Sequence, residues 1–266
     1  MTRITMGQYY PTNSVLHSID PRVKWVGAIV HITVLLMINN FIGYGIAALY
    51  VTGLIVLSKV PSRMFFRGLR SIMFMLAFAV IINLFLAPGE NILFRFGFIS
   101  ITLEGVLLAA QMGARLMLIV TGTSILTLTS SPIQLTDGIE SLLRPLKYIK
   151  VPVHDIAMMM TITLRFIPTL ANEMDKIMKA QKARGADFET GGPIKRAKSL
   201  IPILVPLFVS AFKRAEELAT AMEARCYRGD MGCTKMKIMK MTPSDFISVG
   251  VIIVVSALII LSQQFQ

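Results

Sequence analysis

Five apolar stretches interrupt an otherwise polar chain, and each is close to the length of a membrane-spanning helix. They are Trp25–Asn39, Phe41–Leu57, Ser71–Ala87, Leu103–Thr129 and Ser244–Leu261. A perpendicular crossing takes about 20 predominantly apolar residues, so the shorter stretches need flanking residues to complete it. The pattern predicts an all-α integral membrane protein with about five transmembrane helices.

The segments between these stretches have patterns of their own. Asp20 followed by Pro21 is a good helix start, an N-cap and then a proline at the first helical position. Lys59 to Arg70 has basic residues near one helical face, which predicts a turn at the lipid headgroups before the third span. Residues 91–102 are expected to form an exposed loop or short hairpin, and residues 132–150 a short amphipathic helix along the inner membrane surface.

Two longer amphipathic segments lie late in the chain, within residues 153–182 and 200–222. Their apolar positions recur at the helical period of 3.6, and small residues such as Ala180 and Ala215 would let two helices cross closely. The predicted organisation is a membrane region of about four spans at 1–130, a cytoplasmic or interfacial region of long helices at 131–241, and a C-terminal transmembrane helix at 242–266.

Charge is concentrated in the middle region. The chain is 54% hydrophobic with a net charge of +12, and 18 of its 27 Lys and Arg residues lie between 130 and 241. A nucleic-acid-binding protein could have this charge but would not need such long uncharged stretches. The loops before span one, between spans two and three and after span four are basic, whereas the two opposite loops hold only Arg95. The positive-inside rule therefore predicts a cytoplasmic N-terminus.

One pattern occurs twice within residues 162–230, offset by 41 positions. Asp175 matches Glu216, Ile177 matches Leu218, and Ala183-Arg184-Gly185 matches Ala224-Arg225-Cys226. An arginine at a helix C-terminus has a simple explanation, because a cation there complements the helix dipole. That explanation does not account for two arginines at equivalent places, each preceded by alanine. Arg also has a planar fork of donors suited to carboxylates and carbonyls in a protein groove, so the two ends are predicted to dock onto a partner.

Other candidate chemistry is sparse. The sequence has no phosphate-binding loop, no nucleophile elbow and no metal-spaced His/Cys set. Cys226 and Cys233 are interpreted as ordinary thiols. Arg115 lies deep in the fourth span and Glu104 near its start, so Arg115 is either a functional intramembrane charge or a structural one bonded within the bundle. Met158, Met159 and Met160 form either an adaptable partner surface or core packing.

These features together resemble the transmembrane T component of energy-coupling factor (ECF) transporters, over essentially the whole chain. The resemblance rests on the paired Ala-Arg-Gly-like helix ends, the layout of spans, and residues 9–11, 13–17 and 20–22, which read Tyr-Tyr-Pro, Asn-Ser-Val-Leu-His and Asp-Pro-Arg. The N-terminal stretch looks more like the T component of shared, vitamin-type modules than that of cobalt or nickel transporters.

The resemblance implies a non-catalytic coupling subunit of an importer in a prokaryotic cell membrane. Two cytoplasmic ABC ATPases, which hold the Mg-ATP, would bind the ends of two coupling helices, and a membrane-embedded S component would bind the vitamin. No cofactor or metal is expected on this chain. The ATPase-docking residues would be Ala183, Arg184, Gly185, Ala224, Arg225 and Cys226.

Two further expectations accompany the resemblance. The S component is expected to contact apolar and Met-rich helix faces, with Met158, Met159, Met174, Met178, Leu207, Ala211 and Met222 as candidates. Cys226 stands where the family typically has glycine, so the backbone there must avoid a left-handed turn or adopt it at a cost of about 1–2 kcal/mol. The alternatives are a stand-alone secondary transporter, which would need paired charges or broken helices at the midplane, and a membrane-embedded enzyme.

Overall fold

The computed structural model of the protein describes residues 9–86, 91–96, 99–188, 192–229 and 241–265. These residues fall into two compact units, a first unit within 7–142 and 239–266 and a second unit within 143–238. The helices are α1 (Val15–Ser18), α2 (Pro21–Met37), α3 (Phe41–Ser58), α4 (Ser62–Leu86), α5 (Leu103–Thr129), α6 (Pro132–Leu143), α7 (Val153–Ala183), α8 (Pro193–Ala224) and α9 (Pro243–Ser262). Two 3₁₀ helices, Arg144–Ile149 and Gln263–Phe265, follow α6 and α9.

The all-α membrane fold is confirmed, with one small addition. Strands β1 (Ile92–Phe96) and β2 (Ile99–Thr102) form an antiparallel hairpin in which Arg95 is opposite Ser100. This is the hairpin alternative of the prediction for residues 91–102. The predicted amphipathic helix at 132–150 is α6 followed by the first 3₁₀ helix.

Within the described residues, three helices are long and apolar enough to cross a membrane, namely α3, α5 and α9. A fourth crossing results if α4 is counted, whose parts Ser62–Arg70 and Ile72–Phe85 are bent by 59°. The bend separates the basic segment from the apolar one, as the charge pattern predicted. The number of candidate crossings is therefore three or four rather than about five. The predicted span that is not among them is α2, which has 17 residues, one fewer than α3.

The carbonyls at the C-terminal end of α2 accept hydrogen bonds from side chains of other helices. Ile38, the C-cap, is fully buried. Gln263 donates to Met37 O at 2.6 Å, Gln111 to Asn39 O at 3.0 Å, and both Arg115 and Tyr44 to Ile38 O. Backbone groups at membrane depth need such partners because water is absent there. The short helix is thus compensated by polar side chains on α3, α5 and the end of α9.

A buried polar cluster joins the start of α2 to α5 and α9. Asp20 caps α2 by accepting from the Arg22 N–H, as predicted, and its own N–H donates to Asp245 Oδ1 at 2.7 Å. The Lys24 ammonium donates to Thr129 O at 2.9 Å and to the Ser130 hydroxyl at 3.0 Å. Burial lowers the pKa of Lys24 to about 8, against the opposing effect of the Asp245 and Asp20 carboxylates. The cluster ties the first long helix of the unit to its last.

Two apolar clusters form the core of the first unit. One lies among α1, α3, α4 and α5 and contains Leu16, Val51, Val60, Phe65, Ile125 and Leu128. The other lies among α2, α3 and α9 and contains Val34, Leu35, Ile38, Tyr44, Ala47 and Ile259. Since these residues come from helices far apart in sequence, the clusters fix the helix arrangement of the unit.

Candidate functional site

The two long amphipathic helices of the sequence are α7 and α8, in the second unit. They have 31 and 32 residues, so each is about 47 Å long. Pro168 lies inside α7, and Pro202 and Pro206 lie inside α8, without ending either helix. Each helix is therefore continuous across its prolines.

The two helices pack in antiparallel directions, because contacts early in α7 are with the end of α8. The Tyr227 hydroxyl donates to Met158 Sδ at 2.9 Å, and the Ser210 hydroxyl donates to Glu173 Oε1. Between these two contacts lies a cavity of about 260 Å³, lined on α8 by the small residues Ala211, Ala215 and Ala219. Small residues let the helices approach, as predicted, and leave an apolar space between them.

An ion pair ties the helices near the second contact. Glu173 Oε2 lies 2.8 Å from Arg214 Nη2, with side chains 24% and 34% exposed. From the sequence alone, Glu173 and Arg214 belong to the polar faces of the two amphipathic helices. Their separation of 41 positions equals the offset of the repeated pattern, and together with their opposite charges it was the one signal that could have found the pair.

The end of α7 is a Schellman motif, in which a left-handed residue closes the helix. The Ala186 N–H donates to Gln181 O and the Gly185 N–H to Lys182 O, both at 3.0 Å. Gly185 has φ +86°, which glycine adopts without steric cost. Arg184 is the C-cap residue, which agrees with the prediction that it lies at a helix C-terminus.

The end of α8 has the same motif 41 residues later. The Tyr227 N–H donates to Met222 O at 3.0 Å and the Cys226 N–H to Glu223 O at 2.9 Å. Arg225 is the C-cap, with φ −91° against −85° for Arg184. Both Schellman hydrogen bonds match their counterparts in α7, so the two arginines occupy the same position of the same capping motif.

The backbone at Cys226 could either avoid the left-handed turn that glycine favours or adopt it at a steric cost. Its φ is +56°, so it adopts the left-handed turn rather than avoiding it. The conformation costs an ordinary side chain about 1–2 kcal/mol. The thiol is free and exposed.

The six candidate docking residues are all exposed: Ala183, Arg184, Gly185, Ala224, Arg225 and Cys226. Within the described part of the chain, neither the Arg184 nor the Arg225 guanidinium makes a hydrogen bond or ion pair. Both side chains are therefore available to a partner, and both also complement the dipole of the helix that they terminate.

The seven candidate S-component residues occupy different places. Met159 is 58% exposed, whereas Met158, Met174, Met178, Leu207, Ala211 and Met222 are half-buried. Ala211 and Met222 line the cavity between the helices, and the Met158 sulfur accepts the hydrogen bond from the Tyr227 hydroxyl. A more exposed apolar stripe on α8 consists of Ile201, Val205, Phe208 and Phe212, which are 53%, 57%, 61% and 72% exposed. This stripe lies within residues 200–212, whose apolar sequence predicts contact with the membrane or with the other spans.

The intramembrane charges of α5 have structural partners. Arg115 donates through Nε to the Tyr44 hydroxyl at 3.0 Å and through Nη2 to Ile38 O. Glu104 accepts from Asn91 at 2.9 Å. Arg115 is therefore bonded within the bundle, which is the structural one of the two predicted alternatives. Among the described residues, no group of three or more His, Cys, Asp or Glu side chains could hold a metal ion.

Comparison with known proteins decides the family. A family model described as CbiQ, cobalt transport protein, matches residues 12–238. The energy-coupling factor transporter transmembrane protein EcfT of Ruminiclostridium cellulolyticum is 51% identical over 98% of this chain and 97% of its own length. The chain belongs to the CbiQ/EcfT family of transporter transmembrane proteins.

Further EcfT proteins are similarly close. That of Clostridium kluyveri is 50% identical over 98% of this chain and 97% of its own length. That of Bacillus subtilis strain 168 is 43% identical over 97% of this chain and 98% of its own length. The resemblance to the T component is thereby confirmed over nearly the whole sequence.

Proposed function

We propose that this EcfT-family chain couples two cytoplasmic ABC ATPases to a membrane-embedded substrate-binding S component, for ATP-driven uptake of vitamins or other micronutrients. The observation that supports the proposal best is the pair of exposed, unpaired arginines in matching helix caps. The chain itself would be non-catalytic, with Mg-ATP held by the ATPases. Its place would be the cell membrane of a prokaryote, with a cytoplasmic N-terminus.

Docking chemistry follows from the geometry of the two helix ends. A guanidinium offers five donors in a planar fork, which fits carboxylates and carbonyls in a protein groove. Ala183 and Ala224 precede the arginines and leave room around them. Because the Schellman motifs fix the backbone on either side, each arginine would enter its groove with little loss of backbone freedom.

The spacing of the two ends supports two separate docking subunits. Tyr227 contacts Met158, and Arg184 follows Met158 by 26 positions. A helical segment of that length spans about 39 Å. Two ends so far apart would not enter one groove, but each could meet its own ATPase.

The S component would contact apolar faces of α7 and α8. The α8 stripe of Ile201, Val205, Phe208 and Phe212 presents large side chains at spacings of four, three and four residues. Contiguous exposed apolar surface of this kind marks partner or membrane contacts. Met159 and the half-buried candidates beside it would extend the contact onto α7. Movement of the ATPases would shift the helix ends, and the helices would transmit the shift to the S component.

A purification from native membranes tests the proposal. The tagged chain should bring down two ABC ATPases and a small membrane protein, with ATPase activity in the eluate. Recovery of the chain alone, with transport intact after reconstitution, would contradict the coupling role. Identification of the small membrane protein would also name the transported substrate class.

A further inference from the structure

The two helix ends are alike in their caps but differ in the residue that follows the left-handed position. That residue is Ala186 after α7 and Tyr227 after α8. In Schellman motifs this position often makes an apolar contact with its own helix. Tyr227 instead extends to the other helix, where its hydroxyl donates to Met158 Sδ at 2.9 Å. Alanine has no side chain that could make the equivalent contact.

Tyr227 contacts the N-terminal part of α7, which contains buried residues. Met158 follows directly after Ala157, which is 5% exposed, and Val153 at the start of the helix is 7% exposed. On α8, the Tyr227 N–H is held by Met222 O as part of the cap. The residue thus connects the cap that displays Arg225 to a buried part of α7.

A second tie lies 15 residues further along α7. There Glu173 binds both Ser210 and Arg214 of α8. The α8 segment between Ser210 and Tyr227 is therefore held to α7 at both of its ends. Beyond Glu173, most residues of α7 up to Gly185 are exposed, and Arg184 lies at the end of that segment.

We propose that Tyr227 is a positioning residue for ATPase docking, which fixes Arg225 on the helix pair through Met158. The inference rests on the coupling function proposed above. Fixing a docking group before it binds removes part of the entropy that binding would otherwise lose. The two ends are then unequal: the Arg225 end docks as part of a braced helix pair, and the Arg184 end lacks this brace.

A mutant cycle tests this assignment. The full-length chain in detergent is titrated with the ABC ATPase pair that co-purifies with the wild type, and the dissociation constant is measured. Tyr227→Phe removes only the hydroxyl, and Met158→Leu only the acceptor sulfur. Each should weaken binding about threefold, as expected for one modest hydrogen bond, and the double variant should be no weaker than either single one. Tyr148→Phe is the matched control, because Tyr148 is 94% exposed in the same unit.

The arginine backgrounds distinguish positioning from general destabilisation. Tyr227→Phe should have no further effect in an Arg225→Ala chain and its full threefold effect in an Arg184→Ala chain. Equal effects in both backgrounds, or no effect in the wild type, would overturn the assignment. If Arg225→Ala itself leaves ATPase binding unchanged, the proposed docking function fails instead.

Discussion

Glu173 Oε2 and Arg214 Nη2 lie 2.8 Å apart, and the two residues occupy equivalent positions in the two copies of a 41-residue pattern. In an antiparallel helix pair, equivalent positions of the two copies lie opposite each other only near the point where the helices cross. The pair therefore lies where the helices cross. The Ser210 hydroxyl donates a hydrogen bond to the other carboxylate oxygen of Glu173, Oε1.

Reversing this ion pair should preserve the crossing, whereas removing one charge should weaken it. We expect Glu173→Gln or Arg214→Gln to cost about 1 kcal/mol, since both side chains are partly exposed. The double variant Glu173→Arg/Arg214→Glu should recover part of that loss. Thermal unfolding in detergent measures both changes, and equal losses in all three variants would argue against the pair as the link.

The left-handed Cys226 gives a stabilising prediction. Cys226→Gly should raise the free energy of unfolding by about 1 kcal/mol, because glycine adopts φ +56° without the steric cost. Cys226→Val should lower it, because a β-branched side chain is still less compatible with this conformation. ATPase binding should survive the glycine change, since Arg225 keeps its place. An unchanged melting temperature in both variants would show that the cap carries no strain.

Arg115 is expected to matter for folding rather than for substrate. Arg115→Met removes the donors to Ile38 O and to the Tyr44 hydroxyl, and an unsatisfied buried carbonyl costs about 1–3 kcal/mol. Tyr44 still donates to Ile38 O, so the lower half of that range is expected. Reconstituted complexes normalised for folded protein should transport at the wild-type rate. A specific loss of transport with unchanged stability would instead favour an intramembrane site at Arg115.

Lys24 should give the first unit a pH-dependent stability. Burial lowers its pKa from 10.5 to about 8, so between these values the unfolded chain holds the proton and the folded chain does not. Stability from this group therefore rises with pH from about 8 to 10.5 and is constant below that window. The melting temperature of the wild type relative to Lys24→Met should increase between pH 8 and 10. The exposed Lys176→Met is the control, and a flat difference for Lys24 would contradict the assignment.

The local features of the helices could be predicted from the sequence because they depend on neighbouring residues. The cap at Asp20, the C-caps at Arg184 and Arg225, and the break between the basic and apolar parts of α4 belong to this class. The choice at Cys226 remained open, because the Schellman bonds that favour the left-handed turn compete with a steric cost of similar size.

Tertiary contacts were harder to predict from the sequence. The apolar stretch of α2 continues to Ile38, and its end at Met37 depends on donors from Arg115, Gln111 and Gln263, which lie far away in sequence. The Tyr227–Met158 contact needs the antiparallel direction of α7 and α8, which periodicity does not provide. Helical periodicity identifies which face is apolar, but not which residue of a partner helix it meets.

ATP-driven uptake by the reconstituted complex measures whether Arg184 and Arg225 dock the chain to ATPases. Arg184→Ala/Arg225→Ala should abolish ATPase recovery and uptake while the chain stays folded in the membrane. Lys179→Ala/Arg228→Ala removes the same charge from exposed positions near the same two helix ends and should leave both intact. Full uptake by the double arginine variant would show that the two arginines only cap their helices.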